Sequence, residues 1–232
     1  MGRKRITKKK LKEDAFVSAT FEASHFIQEH STRIIAGVVG FLILGGMIWM
    51  YINYRGERAN EAGLALFRAQ NIYMNGQYAL AASDFERVAE EYSGTVSGDK
   101  AVFFAGDSHY KAGDLNQALS YFEQCREKLS RYDPLLLNAV IGQAAAYEQL
   151  EDFDRSIEFY TEALEMADYD YQKLEIMDSL SRVMTMAGRN REALEVMDRI
   201  IENYPDSPIT GLIIERKAEL LARYFATIES NK

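Results

Sequence analysis

The hydrophobic pattern changes once along the chain. Residues 34–52 read IIAGVVGFLILGGMIWMYI and contain no charged side chain. Beyond residue 61, apolar residues recur at helical spacing and alternate with polar ones, as in amphipathic helices. The three prolines, Pro134, Pro205 and Pro208, lie outside the strongly periodic stretches and interrupt none of these helices. The pattern predicts an all-α chain.

The uncharged run has the length of a membrane span. At roughly 1.5 Å per residue, a helix of this size matches the roughly 30 Å hydrocarbon core of a bilayer. Aromatic side chains that favour the membrane interface cluster near its second end: Trp49, Tyr51 and Tyr54. No small-residue cleavage pattern follows the run. We therefore predict a retained transmembrane helix over residues 34–54, with a buried core helix as the alternative.

Charge is distributed unevenly around this run. Residues 1–33 carry eight Lys/Arg and four Asp/Glu, which leaves 19 basic and 31 acidic side chains in the rest of the chain. Because positive charge favours the cytoplasmic side, we expect a basic cytoplasmic segment at residues 1–33 and a periplasmic acidic remainder. This would make the chain a single-pass protein of a bacterial inner membrane, in contact with lipid. The acidic remainder argues against nucleic-acid binding.

Small residues inside the run predict where a second helix could approach. Ala36 and Gly40 form a small-xxx-small pair, a spacing that permits close packing of membrane helices. Glycine is also frequent in membrane helices for other reasons, so the pair is a candidate helix-packing surface. Residues 55–61 should form a short helical connector.

An internal repeat follows the connector. Its turn residues recur at spacings of 37, 38 and 37: Gly76, Gly113, Glu151 and Gly188. Five positions after each turn stands a small residue: Ala81, Ala118, Ser156 and Ala193. Four positions further stands a large one: Phe85, Phe122, Tyr160 and Met197. The helix before each turn also carries a small residue: Ala69, Gly106, Ala144 and Ser181. Since small positions admit the large side chains of a neighbour, we predict antiparallel helix pairs that stack and share a core.

This arrangement resembles the tetratricopeptide-repeat (TPR) family, whose pattern combines small residues, Tyr or Phe, and a closing proline, here Pro205. The family's usual unit is 34 residues, so we place the three or four extra residues in the loops. The resemblance implies an α-solenoid over residues 62–205. Its four helix pairs would cover about 62–95, 99–132, 137–170 and 174–207.

Residues 208–232 should form a C-terminal capping helix. Ser207 can cap this helix and Pro208 can open it. Its apolar residues are too many for one solvent-exposed face: Ile213, Ile214, Leu220, Leu221, Tyr224 and Ile228. We expect that face to cover the end of the last repeat.

The resemblance also implies a binding site, because TPR proteins hold partners in a concave groove lined by the first helix of each repeat. The corresponding positions here are Leu66, Gln70, Tyr73, Phe103, Asp107, Tyr110, Lys111, Asn138, Ile141, Glu148 and Arg182. This mixture suits a peptide or a partner helix, and the alternative is that several of these residues pack inside the domain. The Lys/Asn set of the family's carboxylate clamp is absent, so we do not expect chaperone tails to bind in that mode.

The order of basic N-terminus, early apolar run and repeats resembles the YfgM-like ancillary subunits of the bacterial Sec translocon. The resemblance rests on EHSTRIIAGVVGFLILGGMIWMYINYRGERANEAGLALFRAQN. It implies an adaptor that helps to hand exported proteins to periplasmic chaperones, with translocon subunits, chaperones or exported chains as partners. Two alternatives stay open: an envelope-assembly or cell-division scaffold that uses the same groove, and a cytoplasm-facing regulatory subunit with the opposite topology.

Catalysis finds no support in the sequence. Cys125 is the only cysteine, and both Cys125 and His109 fall at repeat-core positions. No nucleophile has an assignable base, and the chain has no Walker loop, HExxH or GxSxG motif. Asp168 and Asp170 lack the glycine and terminal glutamate of a calcium loop. We expect no enzymatic activity, cofactor, metal site or small-molecule substrate.

Overall fold

The computed structural model describes residues 8–130 and 133–230, and all regular secondary structure in these residues is helical. The helices are α1 (Lys8–Met74), α2 (Tyr78–Glu91), α3 (Val96–Ala112), α4 (Leu115–Lys128), α5 (Pro134–Gln149), α6 (Phe153–Met166), α7 (Asp170–Met186), α8 (Asn190–Asn203) and α9 (Thr210–Ser230). The chain divides within α1 into two compact units, Met1–Glu57 and Arg58–Lys232. Residues 1–7 of the predicted basic segment lie outside the described residues.

The first unit contains the apolar run. Among the described residues, the part of α1 that begins at His30 includes a stretch long and apolar enough to cross a membrane, by length and composition, and none of that stretch is buried. Phe41 is 75% exposed and Trp49 is 71% exposed. A Cβ atom built on Gly40 would meet no described atom within 4 Å, so the predicted Ala36–Gly40 surface is open.

The second unit is a stack of antiparallel helix pairs. Consecutive helices pack from α2 to α9, and α3 also contacts α5 across one pair. Two hydrophobic clusters form the core. One joins the end of α1 to α2, α3, α4 and the start of α5, and the other joins α5 to α9. Helix α5 belongs to both clusters, through Leu136 and Ala139 on one side and Leu137 and Val140 on the other. The predicted stacking of helix pairs around a shared core is confirmed.

The predicted small and large positions meet in this core. Phe122 of α4 is 1% exposed. A Cβ atom on Gly106 would lie 2.9 Å from the Phe122 ring, and one on Gly142 would lie 2.5 Å from it. These two glycines let α3 and α5 close on one aromatic ring, because a methyl group at either place would displace it.

The turns inside the pairs share a left-handed backbone. The φ angles are 76° at Gly76, 87° at Gly113 and 75° at Gly188. Glu151 takes the same place in the third pair with φ of 59°, which is a costly conformation for a residue with a Cβ atom.

The last helix differs from the prediction at its start. We expected Pro208 to open it with Ser207 as cap, whereas α9 begins at Thr210. The Ile209 N–H donates to Ser207 Oγ at 3.4 Å, and Thr210 Oγ1 donates to the Tyr204 carbonyl at 2.6 Å. These bonds stabilise a turn over residues 204–210 instead of a first helical turn.

The buried face of α9 is also narrower than predicted. Ile213 is fully buried and Leu220 is 6% exposed, but Ile214 is 51% exposed. The side chain of Ile228 lies outside the described residues. Adjacent positions point about 100° apart on a helix, so Ile213 and Ile214 do not share one face.

Candidate protein-binding face

The first helices of the four pairs, residues 58–74 of α1 with α3, α5 and α7, carry the predicted groove residues, and we call the surface they form the first-helix face. Lys111, Asn138 and Arg182 are exposed on it. The half-buried residues are Gln70, Tyr73, Phe103, Asp107, Tyr110, Ile141 and Glu148. Leu66 is only 9% exposed and packs in the first core cluster, so it offers almost no surface to a ligand.

Two pairs of predicted groove residues bond to each other between repeats. Tyr73 Oη donates to Asp107, and Arg182 forms an ion pair with Glu148. In each pair the two residues are 34 positions apart and stand on consecutive first helices. The same two repeat positions therefore form a hydrogen bond in the first half of the domain and an ion pair in the second.

The middle repeat breaks this regularity. Tyr110 occupies the position of Tyr73, but in the next repeat the position of Asp107 is taken by Ala145, which has no polar side chain. Gln149 Nε2 donates to Tyr110 Oη at 2.7 Å instead. Polar side chains therefore link all four first helices in sequence.

Burial changes the acidity of two tyrosines beside this face. Burial raises the pKa of Tyr73 far above its usual value, and the neighbouring Asp107 carboxylate adds to the effect. Burial also raises the pKa of Tyr160 to about 12. Its hydroxyl lies 3.4 Å from Glu148 Oε2, to which it donates. Both hydroxyls therefore keep their protons, and can donate hydrogen bonds, further into the alkaline range than a free tyrosine does.

Phe103 belongs to the core more than to the face. Its ring centroid lies 5.4 Å from that of Phe104 and 6.1 Å from that of Phe122. Lys111 is exposed and its Nζ lies 6.0 Å from the centre of the Tyr78 ring, a cation–π contact. Among the predicted groove residues, the most accessible to a partner are therefore Lys111, Asn138 and Arg182.

Sequence reasoning did not identify a cavity of about 420 Å³ between α7, α8 and α9. Arg182 lines it together with residues that we did not select, including Asp178 and Arg216, whose side chains form an ion pair at 2.8 Å. The spacing of Asp178 and Arg182 by four residues placed them on one face of α7. The hydrophobic pattern of the sequence did not predict that α9 would dock there and complete the cavity.

The other reactive side chains have structural partners. Burial raises the pKa of the Cys125 thiol to about 12, so the thiolate is scarce at neutral pH. His109 Nε2 lies 2.7 Å from Glu86 Oε1, and its ring stacks on Tyr121. The described part of the chain holds no group of three or more His, Cys, Asp or Glu side chains arranged to bind a metal.

Family models described as tetratricopeptide repeat match this chain. One matches residues 102–168 and 135–206, and a second matches residues 68–134. Together the matches run without a gap from residue 68 to residue 206, which is more than half of the 232 residues. The chain is a tetratricopeptide-repeat protein.

Solved structures share its fold at low sequence identity. A predicted kinesin light chain from Podosopora anserina with nearly identical TPR-like repeats is 15% identical, with a TM-score of 0.60 over 74% of this chain and 92% of that one. A tetratricopeptide repeat protein from Parabacteroides merdae is 12% identical, with a TM-score of 0.58 over 70% and 61%. A double mutant of MamA RS-1 is 13% identical, with a TM-score of 0.55 over 74% and 96%. No curated protein matches the chain significantly. At these identities the likeness shows the fold alone.

TPR domains are typically scaffolds that bind proteins without catalysing a reaction. The linked first helices and the exposed side chains between them fit that general role in this TPR protein. The predicted groove residues stay predictions as ligand contacts, since the structure shows their positions and not a partner.

Proposed function

We propose that this TPR protein is a scaffold anchored in a bacterial inner membrane, which binds other proteins through the first-helix face. Residues 34–54 would span the membrane, residues 1–33 would be cytoplasmic, and the repeats with the α9 cap would be periplasmic. The observation that carries the proposal is the presence, in one chain, of an apolar helical stretch with no buried residue and a TPR domain.

The exposure of the apolar stretch supports an anchor. Its large side chains, from Ile35 to Tyr54, are 47–75% exposed. A continuous apolar surface of this size is unfavourable in water and favourable in a bilayer, where a helix also satisfies its own backbone hydrogen bonds. The guanidinium carbon of Arg55 lies 5.9 Å from the centre of the Tyr51 ring, an arrangement that suits the membrane interface.

The first-helix face supports protein binding. Bonds between consecutive first helices hold it in place before a partner arrives, so less conformational freedom is lost on binding. The predicted groove residues that are exposed offer one ammonium, one amide and one guanidinium group: Lys111, Asn138 and Arg182. These groups suit polar recognition of a peptide or helix.

The proposed partners are subunits of the Sec translocon, exported chains and periplasmic chaperones. The support is the resemblance of the anchor-and-repeat layout to YfgM-like subunits, together with the basic residues on the N-terminal side of the span. In this role the protein would receive newly exported chains at the membrane and assist their transfer to chaperones.

Site-specific photo-crosslinking in cells tests this function. A photoreactive amino acid at Asn138, on the first-helix face, should capture translocon subunits or exported chains. The matched control is Glu127, which is exposed on a second helix, α4, and should capture much less. Equal capture from both positions, or capture of unrelated proteins alone, would reject the proposed groove. Protease digestion of spheroplasts that left the repeats intact would reject the periplasmic topology.

A further inference from the structure

The cavity between α7, α8 and α9 has an apolar interior. Met197 is 2% exposed and Leu220 is 6% exposed, and both line it. Met186, which is 52% exposed, adds an accessible apolar wall. A volume of about 420 Å³ falls in the usual range of ligand pockets. The cavity can therefore take an apolar side chain of a ligand.

Arginines dominate the polar side of the cavity. Among the described residues, those that line it include three arginines and two carboxylates. Arg216 pairs with Asp178 at 2.8 Å, and Arg223 pairs with Glu219 at 3.3 Å. The positive side chains that face the ligand space therefore exceed the negative ones.

The third arginine, Arg182, has its carboxylate partner outside the cavity. Glu148 pairs with it from α5, and the Glu148 side chain is 12% exposed while that of Arg182 is 44% exposed. Solvent therefore meets the guanidinium much more than the carboxylate. A guanidinium has five N–H donors, and one carboxylate occupies two of them at most, so donors remain for a ligand.

Positive charge is also crowded at this place. The pKa of Arg182 is lowered, first by burial and then by the neighbouring charge of Arg216. An anion between the two guanidinium groups would relieve that repulsion.

We propose that this cavity binds an acidic peptide segment of a partner protein, with one apolar side chain inside the cavity and a carboxylate against Arg182 and Arg216. The proposal rests on the proposed scaffold function and names the chemistry of the partner. The arginines would provide selectivity and the methionines an adaptable apolar contact.

Peptide binding to the full-length protein in nanodiscs of zwitterionic lipid tests the proposal. The probes are fluorescein-labelled peptides with Leu, Met or Phe between two Asp or Glu residues on each side, and matched peptides with Asn and Gln instead. We expect at least one acidic peptide to bind about tenfold more tightly than its neutral match and to weaken with added salt. Binding of none of the acidic peptides, or equal binding of the neutral ones, would overturn the proposal.

Three variants locate the site. Arg216→Gln should weaken the acidic peptide about fivefold or more. Met186→Glu should do the same by adding negative charge at an exposed position that the fold does not need. Arg126→Gln is the matched control, because it removes a comparable ion pair, with Glu162 at 2.7 Å, away from the cavity. Affinities of Arg216→Gln and Met186→Glu within about twofold of wild type would place the peptide elsewhere.

Two further readouts distinguish peptide binding in the cavity from misfolding of a variant and from lipid binding. Circular dichroism shows whether each variant is folded. If Arg216→Gln does not fold, Met186→Glu still tests the proposal. Displacement of the peptide when anionic lipid replaces zwitterionic lipid would assign the cavity to anionic lipid headgroups and overturn the proposal. Partner crosslinks from Asn138 without peptide binding would leave the scaffold function intact and reject the cavity alone.

Discussion

The two halves of the repeat domain solve the same packing problem with different side chains. At one equivalent core position the four pairs carry Phe85, Phe122, Tyr160 and Met197. Both phenylalanines are at most 1% exposed, and Phe122 is enclosed between two glycines. In the second half, Tyr160 donates to Glu148 and Met197 lines the cavity. The first half thus has an aromatic ring at both of these positions, and the second half has a hydrogen-bonding tyrosine at one and a flexible methionine beside a pocket at the other.

The bonds between repeats show the same division. Tyr73 and Asp107 join the first two pairs by a hydrogen bond, and Glu148 and Arg182 join the last two by an ion pair at the same repeat positions. A fold made of repeated units can therefore keep its geometry while one half becomes sensitive to charge. Variants at matched positions can separate the two halves.

The largest expected effect is at the shared core position. Phe122→Ala should destabilise the domain by about 3–5 kcal/mol, because it removes a buried ring and leaves a cavity between two helices. Met197→Ala should cost less, about 2–3 kcal/mol, since its surroundings already include open space and can relax. Chemical denaturation in mild detergent followed by circular dichroism measures both. Equal losses would show that the two halves pack equally tightly.

Alkaline pH should weaken the second half through Tyr160. The pKa of Tyr160 is about 12 in the folded protein, compared with 10.0 for a free tyrosine side chain. Folding therefore favours the protonated form. That contribution is complete below pH 10 and is lost as the pH rises towards 12, on the order of 2–3 kcal/mol. Tyr160→Phe, which copies Phe122, should remove this contribution and leave the alkaline loss due to Tyr73 and Cys125, whose pKa values are also raised.

The control for this experiment is Tyr169→Phe, at a tyrosine that is 61% exposed. It should leave the alkaline loss of stability as in wild type. A Tyr160→Phe variant that loses stability with pH as steeply as wild type would contradict the assignment to Tyr160.

Salt should distinguish the two bonds between repeats. Arg182→Gln and Tyr73→Phe are each expected to cost about 1 kcal/mol at low ionic strength. The cost of Arg182→Gln should shrink in high salt, because added ions screen the ion pair in wild type as well. The cost of Tyr73→Phe should change little. Hydrogen exchange read by mass spectrometry assigns each loss to its half, and identical salt responses would contradict the distinction.

The repeat could be predicted because its signals are local. Turn residues at 76, 113, 151 and 188 and the small and large positions after them are fixed by backbone conformation and helix geometry, which depend on neighbours in sequence. Contacts between repeats could not be predicted in this way. The pairing of Arg182 with Glu148, the enclosure of Phe122 by Gly142 and the docking of Arg216 depend on how helices far apart in sequence come together.

The smallest expected effect concerns the one turn that differs from the others. Glu151 has φ of 59°, where the three other turns have glycine. Glu151→Gly removes the strain of a left-handed residue with a Cβ atom, and the greater freedom of glycine in the unfolded chain offsets part of the gain. We expect a net stabilisation of about 0.5 kcal/mol. The reverse change, Gly113→Ala, forces a Cβ atom into φ of 87° and should cost about 1 kcal/mol. Denaturation midpoints measured side by side test the pair, because opposite signs require that the turn conformation itself sets the effect. A loss of stability in Glu151→Gly would mean that the Glu151 side chain stabilises the turn by more than its backbone strain costs.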